Sequence, residues 1–211
     1  MEVSLLFSII VLVFSVIAHE VAHGYVADYL GDPTARLSGR LTLNPVPHID
    51  LFGSILLPVL LVLTKAGFIF GWAKPVPYNP YNLKNQRWGT LAVAIAGVTV
   101  NFLIAIVFGL IVRFGPALGI TSPAFLSISG TIVFLNILLG IFNLVPLPPL
   151  DGSKVLFSLL PARFYEMERT LERYSLILLV LLIFFGWKFI LPVIFFIFSI
   201  LTGVSTGASG F

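Results

Sequence analysis

The residues whose types and spacing could do chemistry lie in one short run, His19-Glu20-Val21-Ala22-His23. On an α-helix, residues four apart share a face, so both imidazoles could bind one metal ion. Glu20 lies beside them, where its carboxylate could take a proton from a metal-bound water and return it to a leaving amine. Unpaired ionisable groups are costly inside an apolar helix, and a metal ion explains why three of them stand together. The run therefore predicts a catalytic zinc site.

The chain that carries this motif is strongly apolar. Of its 211 residues, 58% are hydrophobic and 10% are charged, whereas a soluble domain is about 25% charged. This composition predicts an integral membrane protein and excludes disorder, a coiled coil and nucleic-acid binding. The absence of cysteine excludes disulfides and thiolate metal ligands.

Apolar runs determine the expected fold, an all-α bundle of several membrane-spanning helices. A spanning helix needs about 20 apolar residues, which predicts helices over 3–30, 90–112 and 123–145. The run 51–63 is short and contains Pro58, so it is expected to enter the membrane and return on the same side. The whole chain, 1–211, is predicted to be one membrane domain, with its catalytic core over about 3–155.

The remaining segments are predicted to be short or to lie at the surface. Leucines alternate with polar residues over 35–44, which predicts a membrane-associated β-hairpin about Ser38-Gly39. A short helix over 153–160 and a charged surface helix over 161–174 should follow the third span. The apolar stretch 175–203 is either one tilted helix or a hairpin that turns at 186–188. The hairpin is favoured, because a single helix would be about 43 Å long.

A catalytic zinc site takes a third protein ligand and keeps one position for water. No third histidine follows the motif at a ligand spacing, and the candidates are Asp28, His48, Asp50 and Asp151. Asp151 closes the run 143–152, NLVPLPPLDG, where prolines break the third span. Alternatively, Asp151 only caps the short helix that follows.

Taken together, these motifs resemble the site-2 protease family of intramembrane zinc metalloproteases, in its small prokaryotic branch without PDZ or CBS domains. The HExxH run and the run 143–152 carry the resemblance, and the segments 43–54 and 71–77, LNPVPHIDLFGS and GWAKPVP, extend it. At 97–101 the sequence GVTVN stands where the family often has Gly-Pro-x-x-Asn. The resemblance implies that one Zn²⁺ per chain is bound by His19, His23 and Asp151, with Glu20 as the catalytic base.

A shared zinc ion constrains the directions of the helices. His19 and His23 lie toward the end of the first span, and Asp151 follows the end of the span over 123–145. The two spans should therefore run in the same direction. If 51–63 crossed the membrane, they would run in opposite directions, and most of a ~30 Å bilayer would separate Asp151 from the histidines.

The charges agree with this topology and orient it. Ten basic residues then lie on the side of the site, against Arg113 on the other side, with Lys188 uncounted. The ten are Arg36, Arg40, Lys65, Lys74, Lys84, Arg87, Lys154, Arg163, Arg169 and Arg173. Because basic loops stay inside, the active site is expected in the cytoplasmic half of what the resemblance indicates is a prokaryotic cell membrane.

Three further polar residues, His48, Asn101 and Asn143, are candidates for substrate binding. The asparagines could bind the substrate backbone or the developing oxyanion, or they could serve helix packing. His48 could position water or brace a loop. The predicted strand 37–43 could dock an unwound substrate by strand addition.

The sequence therefore predicts a zinc endopeptidase that cleaves membrane protein substrates in or near their transmembrane segments. Two alternatives remain at this point. One is a zinc-binding membrane protein with a structural or transport role. The other is an inactive relative that acts as a binding or regulatory module.

Overall fold

Three long helices form the body of the protein. The computed structural model describes residues 2–56, 59–60, 63–64 and 71–204. The helices long and apolar enough to cross a membrane are α1 (Glu2–Tyr29), with the helical turn α2 (Thr34–Leu37) after it, then α3 (Gln86–Phe114) and α4 (Pro123–Leu144). They confirm the three predicted spans and the all-α class.

Shorter helices follow α4. They are α5 (Asp151–Leu159), α6 (Tyr165–Arg173), α7 (Ser175–Phe185) and α8 (Trp187–Thr202). The helices α7 and α8 meet at Gly186 with a bend of 66°. The break in 175–203 thus falls at the predicted position, but the two arms are inclined to each other rather than folded back as a hairpin.

The two central spans begin at side-chain caps. Asn85 accepts a hydrogen bond from the amide of Trp88 at the start of α3. Ser122 accepts one from the amide of Phe125 at the start of α4, where Pro123 occupies the first helical position. Caps of this kind satisfy amides that have no partner within the helix.

Contacts between the spans fix their relative directions. Along α1, Ser15 contacts Asn136 of α4 and His19 contacts Asp151 beyond its end, so α1 and α4 run in the same direction. By contrast, His19 contacts Asn101 and the later His23 contacts Val93, so α3 runs opposite to α1. This arrangement is the one that a shared metal site requires.

The final helix completes the bundle against α3 and α4. Its buried residues Ile190, Ile194 and Phe198 pack with Val133 and Ile137 of α4 and with Ala105 of α3. Phe142 stacks on Trp187 with ring centroids 6.2 Å apart. At the opposite end of α8, Arg113 donates to the carbonyl of Ile200.

The connector between α1 and α3 begins and ends at the same end of the bundle. The Lys84 amide donates to the Leu30 carbonyl at 3.1 Å, and Leu83 packs against Ala27 and Val93. The connector therefore makes no net crossing of the membrane. The predicted re-entrant segment 51–63 lies partly outside the described residues. Its first part, Leu51–Leu56, forms a short π-helix.

The predicted β-hairpin about Ser38-Gly39 is wrong, and no residue in the described part of the chain is in a strand. Thr34–Leu37 form a helical turn instead, and Ser38 closes it by donating to the Thr34 carbonyl at 2.7 Å. Ala35 and Leu41 both pack over Gly24 of α1. Leu37, Leu41 and Leu43 all lie at odd-numbered positions among polar residues, which imitates the alternation of a strand. Packing against α1 decides the local structure instead.

Asp32 holds the connector against the end of α1. Its side chain is fully buried. Its carboxylate accepts hydrogen bonds from Thr34, from the amide of Asn79 at 2.6 Å and from the side chain of Asn82 at 2.8 Å. Burial by itself would raise the pKa of this carboxyl, but the hydrogen bonds from Thr34, Asn82 and Asn79 lower the pKa below its usual value.

We predict that Asp32→Asn lowers the free energy of unfolding at pH 7 by roughly 1.5–3 kcal/mol, the usual worth of hydrogen bonds to a charged group. Because the folded-state pKa is lowered, this contribution is present above the unfolded pKa near ~3.9 and is lost as pH falls through the folded pKa. Thermal unfolding in detergent should show a difference from wild type that is large at pH 7 and shrinks below about pH 4.

Asp28→Asn is the matched control for that experiment. Asp28 pairs with Arg36 at 3.1 Å, and 66% of the Arg36 side chain is exposed. An exposed pair of this kind is worth less than ~1 kcal/mol. Equal losses of unfolding free energy in the two variants at pH 7 would contradict the conclusion that Asp32 holds the connector against α1.

Candidate metal centre

Three donor atoms converge between α1 and the start of α5. His19 Nε2 lies 3.0 Å from Asp151 Oδ2 and 3.0 Å from His23 Nε2, and His23 Nε2 lies 3.1 Å from Asp151 Oδ2. All three residues are buried. In a tetrahedral zinc site with ligand distances of ~2.0–2.1 Å, donor atoms lie about 3.3 Å apart. The spacing of the three atoms fits that geometry.

The other nitrogen of each imidazole faces an oxygen that accepts hydrogen bonds. His23 Nδ1 donates to the carbonyl of Val93 at 2.6 Å, and His19 Nδ1 donates to Asn101 Oδ1 at 2.6 Å. In a neutral imidazole the remaining nitrogen then carries a lone pair. Two lone pairs and a carboxylate oxygen therefore point at one place. Such a donor set is suited to a cation, and two imidazoles with a carboxylate are ligands that Zn²⁺ accepts.

The carboxylate of Asp151 contacts the two imidazoles and does not cap the helix that follows it. Asp151 is the first residue of α5, and the start of α5 has no side-chain cap. Its Oδ2 lies within 3.1 Å of both imidazole Nε2 atoms, so a carboxylate oxygen completes the donor set.

Two glycines allow the close approach that the cluster needs. A Cβ atom at Gly97 would lie 2.6 Å from both His19 Cε1 and His23 Nε2, so this face of α3 must be bare for the imidazoles to fit. A Cβ at Gly152 would lie 2.2 Å from the Leu144 carbonyl. Gly152 therefore lets the chain turn tightly after α4 and bring Asp151 inward.

The other ligand candidates lie elsewhere. Asp28 pairs with Arg36, and Asp50 accepts hydrogen bonds from the amides of Phe52 and Gly53. His48 is buried and its Nε2 donates to the Thr42 carbonyl at 2.9 Å. Among the described residues, the group that could hold a metal ion is His19, His23 and Asp151.

Glu20 is held by the connector. Its Oε2 accepts a hydrogen bond from the backbone amide of Val76 at 2.8 Å. The segment that carries Val76 is itself fixed, since the Lys74 amide donates to the carbonyl of His48 at 2.8 Å. His48 thus braces the segment that reaches Glu20, and its own side chain is not part of the cluster.

The two candidate asparagines are in different positions. Asn101 is fully buried and contacts His19 directly. Asn143 is partly buried, and its amide donates to the Leu139 carbonyl of its own helix at 3.0 Å. Sequence reasoning missed Asn136, which is fully buried and accepts a hydrogen bond from Asn101 at 2.9 Å. The sequence signal for Asn136 was an amide side chain within an apolar span, but this residue lies outside the motifs that were recognised.

Comparison with known proteins decides the family. The model of peptidase family M50 matches residues 115–186, a stretch that includes Asp151. YwhC of Bacillus subtilis, which carries the name of a zinc metalloprotease, is 38% identical to this chain over 179 residues. The match covers 82% of this chain and 78% of YwhC. The chain belongs to peptidase family M50.

More distant relatives also carry zinc metalloprotease names. Rip2 of Mycolicibacterium smegmatis, which also carries the name of a zinc metalloprotease, is 29% identical over 93% of this chain and 75% of its own length. Zinc metalloprotease MJ0392 of Methanocaldococcus jannaschii is 26% identical over 76% of this chain, which spans 36% of that protein. No solved structure matches significantly. The resemblance to the site-2 proteases is confirmed, and zinc is the cofactor.

We predict that Gly97→Ala abolishes zinc binding, because the added methyl group would occupy the space of the two imidazoles. Gly130→Ala is the matched control, since a Cβ at Gly130 of α4 meets no atom of the described residues within 4 Å. Zinc per chain, measured on purified protein, should fall close to zero in the first variant and stay at the wild-type level in the second. Full zinc content in Gly97→Ala would show that the imidazoles do not need this bare face.

Proposed function

We propose that this M50 chain is an intramembrane zinc endopeptidase that hydrolyses peptide bonds in or near transmembrane segments of membrane proteins. The observation that carries the proposal is the convergence of His19, His23 and Asp151 with Glu20 adjacent in the chain. These three residues would hold one zinc ion. A zinc ion so bound would activate a water molecule and polarise the carbonyl of the peptide bond.

Glu20 is the residue proposed to move the proton. The Val76 amide donates to Oε2 of its carboxylate, and no other described residue donates a hydrogen bond to this side chain. The carboxylate would take a proton from the attacking water as the new carbon–oxygen bond forms. It would then give that proton to the amide nitrogen as the carbon–nitrogen bond breaks. Both transfers use one residue, so the reaction leaves Glu20 ionised as it began.

The position of the site along α1 supports action within the membrane. His19 lies 13 residues after Leu6, where the apolar span begins, which is about 20 Å of helix. The site would then lie past the middle of a ~30 Å apolar layer. The basic connectors lie at that same end of the bundle, so the positive-inside rule supports a site in the cytoplasmic half.

The alternative, a zinc-binding module without activity, is supported less well. A structural zinc site takes four protein ligands, and three are found together in the described residues. A ligand position is thus left for water or substrate. Glu20, adjacent to a ligand and anchored by Val76, has no evident purpose in a site that only binds metal.

A cleavage assay on purified protein in detergent tests the activity. We predict that the wild type cleaves members of a panel of transmembrane peptides and that a zinc chelator stops it. Glu20→Gln should lower the rate by at least about 10²–10⁴-fold, the usual contribution of a positioned base, with its zinc content unchanged. The matched control is Glu166→Gln, which removes a carboxylate from the surface helix α6.

Each other outcome has a defined meaning. Equal cleavage by wild type and Glu20→Gln would reveal a contaminating protease and contradict the role of Glu20. One zinc per chain without cleavage of any peptide would favour the binding module.

Single cysteines test the orientation, because the natural chain has none. In intact bacterial cells, we predict that Thr121→Cys reacts with a membrane-impermeant maleimide. Ser38→Cys, exposed at the end that holds the site, should react only after the membrane is opened. The reverse pattern would place the site in the outer half.

A further inference from the structure

We propose that Asn136 is a positioning residue for the metal site. Acting through Asn101, it determines which nitrogen of His19 carries the proton and which is free to bind metal. This inference rests on the proposed zinc site of His19, His23 and Asp151. It assigns a role to a side chain whose hydrogen-bond partners are Asn101, Ser15 and Ile132 and not the proposed metal ligands.

A continuous row of buried hydrogen bonds joins Asn136 to His19. Asn136 Oδ1 accepts from Asn101 Nδ2 at 2.9 Å, and Asn101 Oδ1 accepts from His19 Nδ1 at 2.6 Å. Asn101 and Asn136 have no exposed surface, and His19 is 5% exposed. Water therefore does not compete for these groups.

Asn101 alone could not fix the tautomer of His19. An asparagine amide has an oxygen that accepts and a nitrogen that donates, at two ends of nearly equal shape. If the amide turned over, its nitrogen would face His19 Nδ1, and the imidazole would have to carry its proton on Nε2. That is the nitrogen that lies 3.0 Å from both His23 Nε2 and Asp151 Oδ2. A proton there would exclude a metal ion.

Asn136 removes this ambiguity because its own orientation is fixed at its other end. Its Nδ2 donates to the backbone carbonyl of Ile132 at 2.9 Å and to the hydroxyl of Ser15 at 3.0 Å. A backbone carbonyl can only accept. Asn136 must therefore turn its oxygen toward Asn101, which in turn must present its oxygen to His19.

In both histidines the protonated Nδ1 is thus fixed by a backbone carbonyl, directly for His23 and through two side-chain amides for His19. His23 Nδ1 donates directly to the backbone carbonyl of Val93. His19 reaches a backbone carbonyl, that of Ile132, through two amides. Both ends of the Asn101 side chain are occupied by protein partners. The geometry therefore favours a positioning role for Asn101 over the substrate contact expected from the sequence.

The test is a zinc affinity, measured on purified full-length protein in detergent by competition with a chromogenic chelator. We predict that Asn136→Leu weakens zinc binding by about 10–100-fold, the usual effect of losing a partner of a metal-ligating histidine. Ser129→Ala is the matched control. Ser129 is also fully buried and lies seven residues earlier on α4, and its hydroxyl has no hydrogen-bond partner among the described residues. Its affinity should equal that of the wild type.

A rescue separates this role from damage to packing. A carboxylate has two oxygens and cannot turn a donor toward His19, so Asn101→Asp should make the tautomer independent of Asn136. We therefore predict that Asn136→Leu has little effect on zinc affinity when Asn101→Asp is already present. Near-additive losses in the double variant would mean that Asn136 acts through packing, and would overturn the proposal.

The remaining outcomes are also decisive. Wild-type affinity in Asn136→Leu would overturn the positioning role but leave the proposed protease intact. No zinc binding by the wild type would overturn the metal site itself. If Asn136→Leu does not fold, Asn136→Ser takes its place, because it also withdraws the acceptor from Asn101.

Discussion

The convergence of three side chains that could hold a metal ion, inside an apolar bundle, is the constraint on which the rest of the structure depends. His19 and His23 stand in the second half of α1, and Asp151 follows α4. For these side chains to meet, α1 and α4 must run in the same direction, with α3 between them in the opposite direction. The connector from α1 to α3 must then return to the end of the bundle from which it left, which the contact of Leu30 with Lys84 shows.

The polar groups inside the bundle obey a second constraint, since lipid offers them no hydrogen bonds. Each buried amide and imidazole of the site has a partner on a neighbouring helix, and the rows of contacts end on backbone carbonyls of Val93 and Ile132. A backbone carbonyl can only accept a hydrogen bond, so it determines which end of each side chain in the row donates and which accepts. The same bonds that satisfy the buried polar groups also leave two imidazole lone pairs directed at one point.

The sequence was sufficient to predict the spans and the three side chains that converge, but not what holds those side chains in place. Long apolar runs specify helices in a membrane almost regardless of detail, and two histidines four residues apart must share a helical face. The hairpin about Ser38 failed because the alternation was short and the packing of Ala35 and Leu41 on Gly24 outweighed it. Asn136 was not predicted because its role depends on contacts with Asn101 and Ser15, residues 35 and 121 positions away.

The carboxylate proposed as the catalytic base depends on a different part of the molecule from the proposed metal ligands. Glu20 stands on a membrane helix, but its hydrogen bond comes from Val76 in the polar connector. That connector is fixed against α1 at Asp32 and against the turn at His48. The helices therefore determine where the proposed metal ligands lie, while the connector outside the spans determines how the Glu20 carboxylate is oriented. A change in the connector could thus alter proton transfer without altering metal binding, although its residues lie outside the membrane-spanning helices.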